Sequence, residues 1–197
     1  MTDEKRPYRK KRRAELEAET RLRITESAVE LHGSVGPART SVSAVAEHAG
    51  VRRSTVYRHF PDEAALFRAC SSHWRAAHPV PDLARWAAIS DPDERLASAL
   101  AELYGSYRNT ERMMENLVRD QALVPSVKRQ FSSYYDYLAA ARDVLMAGRS
   151  ARGRAGERVT AAIGHSLAFT TWRSLTGDQG LDDARAADLM CRLVAAS

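Results

Sequence analysis

Apolar residues recur along this chain at three- and four-residue intervals and only rarely at alternate positions. That period predicts helices throughout and an all-α fold. A first helix is expected from about Arg13 to His32, with Leu22, Ala28, Val29 and Leu31 inward, ended by Gly33 and Gly36-Pro37. Thr40 or Ser41 can cap a short second helix, and a third ends near Phe60. Asp62 suits the N-cap of a fourth, carrying Leu66, Phe67 and Trp74 and broken by His78-Pro79-Val80-Pro81. Asp91-Pro92 opens a fifth with Leu96, Leu100, Leu103, Tyr104 and Tyr107. Another covers about Glu111 to Leu123 and stops at Pro125, and a long one spans about Ser126 to Met146. Gly148 to Gly156 reads as a mobile loop. Helices near Glu157–Leu175 and Asp182–Ala195 complete the chain, separated by Gly177-Asp178-Gln179-Gly180.

Within this all-helical pattern, residues 41–60 have the grammar of a helix-turn-helix. Val42, Val45, Ala46 and Ala49 fall on one helical face. Gly50 follows where a sharp turn needs positive φ, and Val51 and Val56 anchor the next helix. The outward side of that second helix carries Arg52, Arg53, Ser54, Thr55, Tyr57, Arg58 and His59, donors suited to phosphates and base edges in a major groove. Arg53 is the best candidate for a bidentate contact with guanine. Ser54 and Thr55 are candidates for base edges, and Thr55 also for a phosphate. Thr40 and Ser41 are placed to cap a helix whose N-terminus faces a phosphate.

Charge strengthens this reading. Residues 1–60 hold 13 Lys+Arg against 8 Asp+Glu, a net +5, whereas residues 61–197 hold 17 of each. The excess gathers in Lys5, Arg6, Arg9, Lys10, Lys11, Arg12 and Arg13, expected as a flexible basic arm over residues 1–13, with Pro7 discouraging an early helix. Such a cluster suits a polyanion. No run of 18 apolar residues occurs, so no membrane partner is expected. The N-terminus lacks the apolar segment of a secretory signal, and Cys70 and Cys191 are far apart; both features point to a cytoplasmic protein with ordinary thiols.

These residues resemble the N-terminal domain of the tetracycline-repressor-like (TetR) transcriptional regulators. The resemblance lies in the basic arm, the helix ending near Gly33, Thr40-Ser41-Val42, Val45-Ala46, Ala49-Gly50-Val51, Thr55-Val56-Tyr57, His59-Phe60 and Leu66. It covers roughly residues 20–70. It implies a homodimer with three N-terminal DNA-binding helices (residues 14–60) and a larger helical domain (61–197) for a small ligand and the partner subunit, helix 61–77 connecting the two. It also implies that Tyr57 and His59 reach the DNA backbone. Glu63 stands where the family often has a lysine that meets phosphate.

The remaining chemistry concerns the second domain. Its Tyr, Trp and Met stock, together with the resemblance, implies a cavity between the fourth and eighth helices for an apolar or aromatic effector. Tyr104, Tyr107, Met114, Phe131 and Trp172 are the lining candidates. Ala161, Gly164 and Ala168 form a small-residue stripe, and Leu189 and Leu193 add bulk on the last helix. A helix apolar on more than one side in so small a protein suggests a partner, and these five are the candidate dimer interface. Enzyme signals are weak. Gly164-His165-Ser166 lacks the second glycine of a nucleophile elbow, His73 and His78 are badly spaced for a metal, and no phosphate-binding glycine motif occurs. The chain is therefore expected to be no enzyme and to need no cofactor or metal. The expected function is a repressor released from its operator by a small molecule. The alternative is a DNA-binding architectural or protein-interaction module without an inducer.

Overall fold

The computed structural model of the chain describes residues 5–197. It divides into two compact units, the first comprising residues up to 77 with 115–127, the second 78–114 with 128–197. Ten α-helices follow one another among the described residues, with no strand: α1 (Lys5–Ser34), α2 (Val42–His48), α3 (Arg53–His59), α4 (Glu63–Ala77), α5 (Leu83–Ala87), α6 (Pro92–Asp120), α7 (Pro125–Met146), α8 (Gly153–Leu167), α9 (Phe169–Arg173) and α10 (Asp183–Ala195).

In the first unit, α1 begins at Lys5, eight residues before the expected start at Arg13. Residues 5–13 are thus helical and not a loose arm; residues 1–4 of that expected arm lie outside the described residues. Pro7 falls in the first helical turn, where the missing N–H would have had no intrahelical partner. Ile24 and Ala28 bury completely, whereas Leu22, expected inward, is exposed. Leu66, Phe67 and Cys70 bury one side of α4, which packs on α1. The unit therefore extends past residue 60, where the sequence suggested a boundary, and takes in all of α4.

The helix expected from Asp91-Pro92 and the next one, expected from about Glu111, are one continuous α6, whose residues 92–114 belong to the second unit and 115–120 to the first. Pro125 both follows the turn after α6 and occupies the first position of α7, where its lack of an N–H costs nothing. The loop expected to reach Gly156 is shorter, because α8 already starts at Gly153. A short α5 carries Trp86, whose ring is buried and whose Nε1 donates to Glu102 Oε2 at 2.8 Å.

The expected helix Glu157–Leu175 is broken. Ala168 is extended (φ −71°, ψ 134°), separating α8 from α9, and a π-helical turn, Ser174–Asp178, ends the segment. Neither Gly nor Pro marks the break. Tyr104 Oη donates to the Ser166 carbonyl at 2.8 Å and Tyr107 Oη to the Leu167 carbonyl at 2.7 Å. Two carbonyls at the end of α8 are thus satisfied by tyrosines of α6 rather than by a continuing helix.

Candidate nucleic-acid interface

The helix-turn-helix pair, α2 and α3, has its apolar side fully spent. Val42, Val45, Ala46, Ala49, Val56 and Phe60 are all buried. Ser41, not Thr40, caps α2, its Oγ accepting from Ala44 N–H at 3.1 Å. Thr40 donates its hydroxyl to the Gly36 carbonyl at 2.8 Å. Gly50 has φ 64°, and the Val51 N–H returns to the Ala46 carbonyl at 2.9 Å. A Cβ at Gly50 would meet nothing within 4 Å, so the backbone angle and not crowding calls for glycine there.

With that side buried, Arg52, Arg53, Ser54, Tyr57 and Arg58 lie together on the exposed side of the α2–α3 pair. Arg53 Nη2 donates to Tyr57 Oη at 3.2 Å, and its guanidinium lies 5.5 Å from the Tyr57 ring centre. Thr55 and His59 are only half-exposed. His59 departs furthest from its expected outward placement. Its Nε2 is enclosed with no hydrogen-bond partner among the described residues. Burial, together with the neighbouring Arg58 and Arg21, holds its pKa below the ordinary histidine value. A neutral ring of this kind has no charge to offer a phosphate.

Two supports of this face are invisible in the sequence. Arg21 of α1 donates to the His59 carbonyl at 2.6 Å and places its guanidinium 4.2 Å from the Phe60 ring centre, so a cation caps the C-terminus of α3. The end of α6 holds the chain leading into α2. Asn116 Nδ2 donates to the His32 and Gly33 carbonyls at 3.0 and 2.8 Å, and Arg119 Nη2 donates to the Val35 carbonyl at 2.9 Å. Asp120 accepts from the Ala38 N–H at 2.9 Å and from Arg119 Nε at 2.7 Å. Burial pushes the Asp120 carboxyl up, but these hydrogen bonds outweigh it and leave the group below its ordinary pKa. Gly36 lies against the same pair at φ 96°; a Cβ there would strike the Arg119 guanidinium and come within 2.5 Å of Asp120 Oδ2. Side chains separated by some 80 residues give no local signal, so periodicity could not have found them.

A sequence profile described as bacterial regulatory proteins, tetR family, matches residues 24–70. Residues 24–70 thus match a TetR-type N-terminal domain. Among solved structures, the TetR-like chain is similar to a TetR-like transcriptional regulator from Rhodococcus sp. RHA1, with TM-score 0.62 and 20% identity over 89% of this chain and 93% of that one. It is similar to NalD, the secondary repressor of the MexAB-OprM multidrug efflux pump in Pseudomonas aeruginosa, with TM-score 0.59 and 20% identity over 92% and 96%. FadR from Bacillus subtilis, in complex with stearoyl-CoA, gives TM-score 0.59 and 16% identity over 88% and 96%. At these identities the likeness is one of fold. No curated protein matches the chain. No helix among the described residues is long and apolar enough to cross a membrane.

The candidate effector residues are all buried, and three of them touch. Tyr107 packs edge-on to Phe169 at 5.3 Å and tilted on Trp172 at 5.8 Å, with Tyr104 stacked at 6.4 Å. Trp172 Nε1 donates to Asp183 at 2.9 Å, and Arg108 lies 4.8 Å from the Trp172 ring centre. Phe131 joins through Tyr134, whose hydroxyl pairs with that of Tyr107 at 2.8 Å. Met114 is buried apart from these ring contacts. The TetR-like chain thus spends these polar ends inside its own second unit. One open hollow of about 210 Å³ lies nearby, lined by His165, Thr170, Thr171, Ser174, Leu175 and Met190.

Of the candidate dimer residues, Leu189 and Leu193 are large apolar side chains left 43% exposed on α10. Ala161 is exposed, and Gly164 and Ala168 are half-exposed. α8 and α10 pack on each other through the opposite sides, burying Ile163, Leu167, Met190 and Val194.

Proposed function

We propose that this chain is a homodimeric repressor that holds an operator through α3 and releases it when a small apolar or aromatic molecule binds the second unit. The observation that carries the reading is the α2–α3 pair, apolar inside, with Arg52, Arg53, Ser54, Tyr57 and Arg58 exposed together. In a dimer the two reading helices would enter successive major grooves about 34–36 Å apart. An effector preferring another spacing would weaken DNA binding by its differential affinity for the two states. Support for an effector comes from the aromatic second unit and from the stearoyl-CoA bound to FadR of Bacillus subtilis.

Sequencing the DNA fragments retained by the purified protein tests the core of this reading. A recurring two-fold site is the expected result; retention of random fragments would overturn it. On that site, Arg53→Ala should cost about 1–3 kcal/mol and relax preference at one base pair. An unchanged preference would remove Arg53 from the base contacts.

Two further outcomes are expected. Deleting residues 1–13 removes seven basic and two acidic residues. It should lower the slope of log K against log salt by roughly two to four per subunit, at about 0.9 per phosphate contact. Equal slopes would leave that segment a solvated extension. The paired substitution Leu189→Glu with Leu193→Glu should give a monomer by light scattering while leaving the melting temperature of the single chain nearly unchanged. A persistent dimer would place the interface elsewhere.

One observation favours a second reading, a DNA-binding interaction module without an inducer. Tyr104, Tyr107 and Trp172 fill their own space and satisfy their own polar ends. Release of bound DNA by members of a panel of long-chain and aromatic carboxylates would favour the repressor; indifference to the panel, with capture of a protein partner, would favour the module.

A further inference from the structure

Arg53 and Tyr57 stand one helical turn apart on the exposed side of α3, and their side chains are joined in two ways. The Arg53 Nη2 donates to the Tyr57 hydroxyl at 3.2 Å, and the guanidinium carbon lies 5.5 Å from the ring centre, within cation–π range. A free arginine samples many rotamers and loses that freedom when it grips a base. A guanidinium already held against a ring has less to lose. The plane of its fork is set, and the second Nη2 hydrogen, beside either the Nε–H or an Nη1–H, still offers one edge for a bidentate contact. The Glu63 carboxylate at the start of α4 adds a longer-range attraction but carries no such directional constraint.

We infer that Tyr57 is a specificity-determining positioning residue, which aims the Arg53 fork at its base pair before DNA arrives. The inference rests on the proposal that α3 reads DNA. It differs from the backbone role that the family resemblance implies for Tyr57. A tyrosine that only touched a phosphate would support every sequence equally. One that aims Arg53 supports one base pair above the others.

The two roles separate in a binding selection on the full-length dimer with random duplex DNA. Wild type is compared with Tyr57→Phe, which keeps the ring and removes the hydroxyl, with Tyr57→Leu, which removes both, and with Arg53→Ala. The base preference lost in Arg53→Ala should fall about 2- to 12-fold in Tyr57→Phe, the net worth of one hydrogen bond. It should fall further in Tyr57→Leu, while preferences at other positions and the salt slope stay as in wild type, because tyrosine carries no charge to exchange for counterions. A uniform loss on all sequences in Tyr57→Phe, with the Arg53-dependent preference intact, would overturn the inference and leave the reading of α3 standing. If Arg53→Ala itself changes no preference, the reading of α3 fails and the inference with it. A second measurement needs no DNA. The order parameter of the Arg53 Nε–H in the free protein should drop in Tyr57→Phe, with Arg58 as reference; an unchanged value would overturn the aiming role directly.

Discussion

Arg95→Ala is expected to lower the unfolding free energy by about 1–3 kcal/mol, the usual penalty for leaving polar groups in a partly buried site without their partner. Arg95 is 6% exposed. Its guanidinium donates to four carbonyls: Ile89 at 2.8 Å, Ser90 at 3.2 Å, Val144 at 3.1 Å and Ala147 at 2.7 Å. The first two end the segment after α5, and the last two end α7. One planar cation therefore satisfies the C-terminal carbonyls of α7 and joins them to the turn that starts α6, at the end where the helix dipole favours positive charge. Alanine would leave these partly buried acceptors without their donor. Arg95→Lys keeps the charge but cannot span both groups of carbonyls, and should fall between the two. Urea unfolding should show a lower midpoint with an unchanged m-value. A loss under about 1 kcal/mol would mean that water replaces the guanidinium at little cost.

Acidification should destabilise the first unit through His32. The ring is 9% exposed, tilted on Phe67 at 5.4 Å, with Nδ1 3.5 Å from Cys70 Sγ. Burial lowers its pKa from 6.5 to about 4, against a smaller opposing pull from Asp120. A folded pKa below the unfolded value means that the unfolded chain takes up a proton the folded chain refuses. The full contribution is therefore present above pH 6.5 and is lost as pH falls toward 4, by up to roughly 3 kcal/mol. His32→Phe removes the titration and keeps a ring of similar size. The hydrogen bond from Asn116 survives, because it goes to the backbone carbonyl. Unfolding free energies measured from pH 7 to 4 should fall less steeply in the variant. Parallel curves would mean that His32 is not the group that titrates.

What the sequence by itself determined was local. Helix starts were legible where one side chain reaches a backbone N–H a few residues on, as Asp62 does to Ala65, Asp91 to Glu94 and Asp182 to Arg185. The reading pair was legible because its apolar spacing, Gly50 turn and outward arginines all lie within 20 residues. The tertiary structure decided the rest, because the deciding partners are distant in the chain. The break at Ala168 follows from tyrosines some 60 residues earlier taking the carbonyls of Ser166 and Leu167. Leu22 is exposed and Ile24 buried because two residues apart on a helix face opposite sides, and packing chose the side that holds Ile24 and Ala28. The aromatic residues were recognisable as a group from composition. Whether they line a cavity or fill it depends on ring positions and hydroxyl partners, which only packing sets: Tyr107 of α6 meets Phe169 and Trp172 of α9 and Tyr134 of α7. His59 shows the same division within seven residues of α3. Its spacing placed it among the outward donors, and the approach of Arg21 from α1 and the enclosure of its Nε2 turned it into part of the support beneath them.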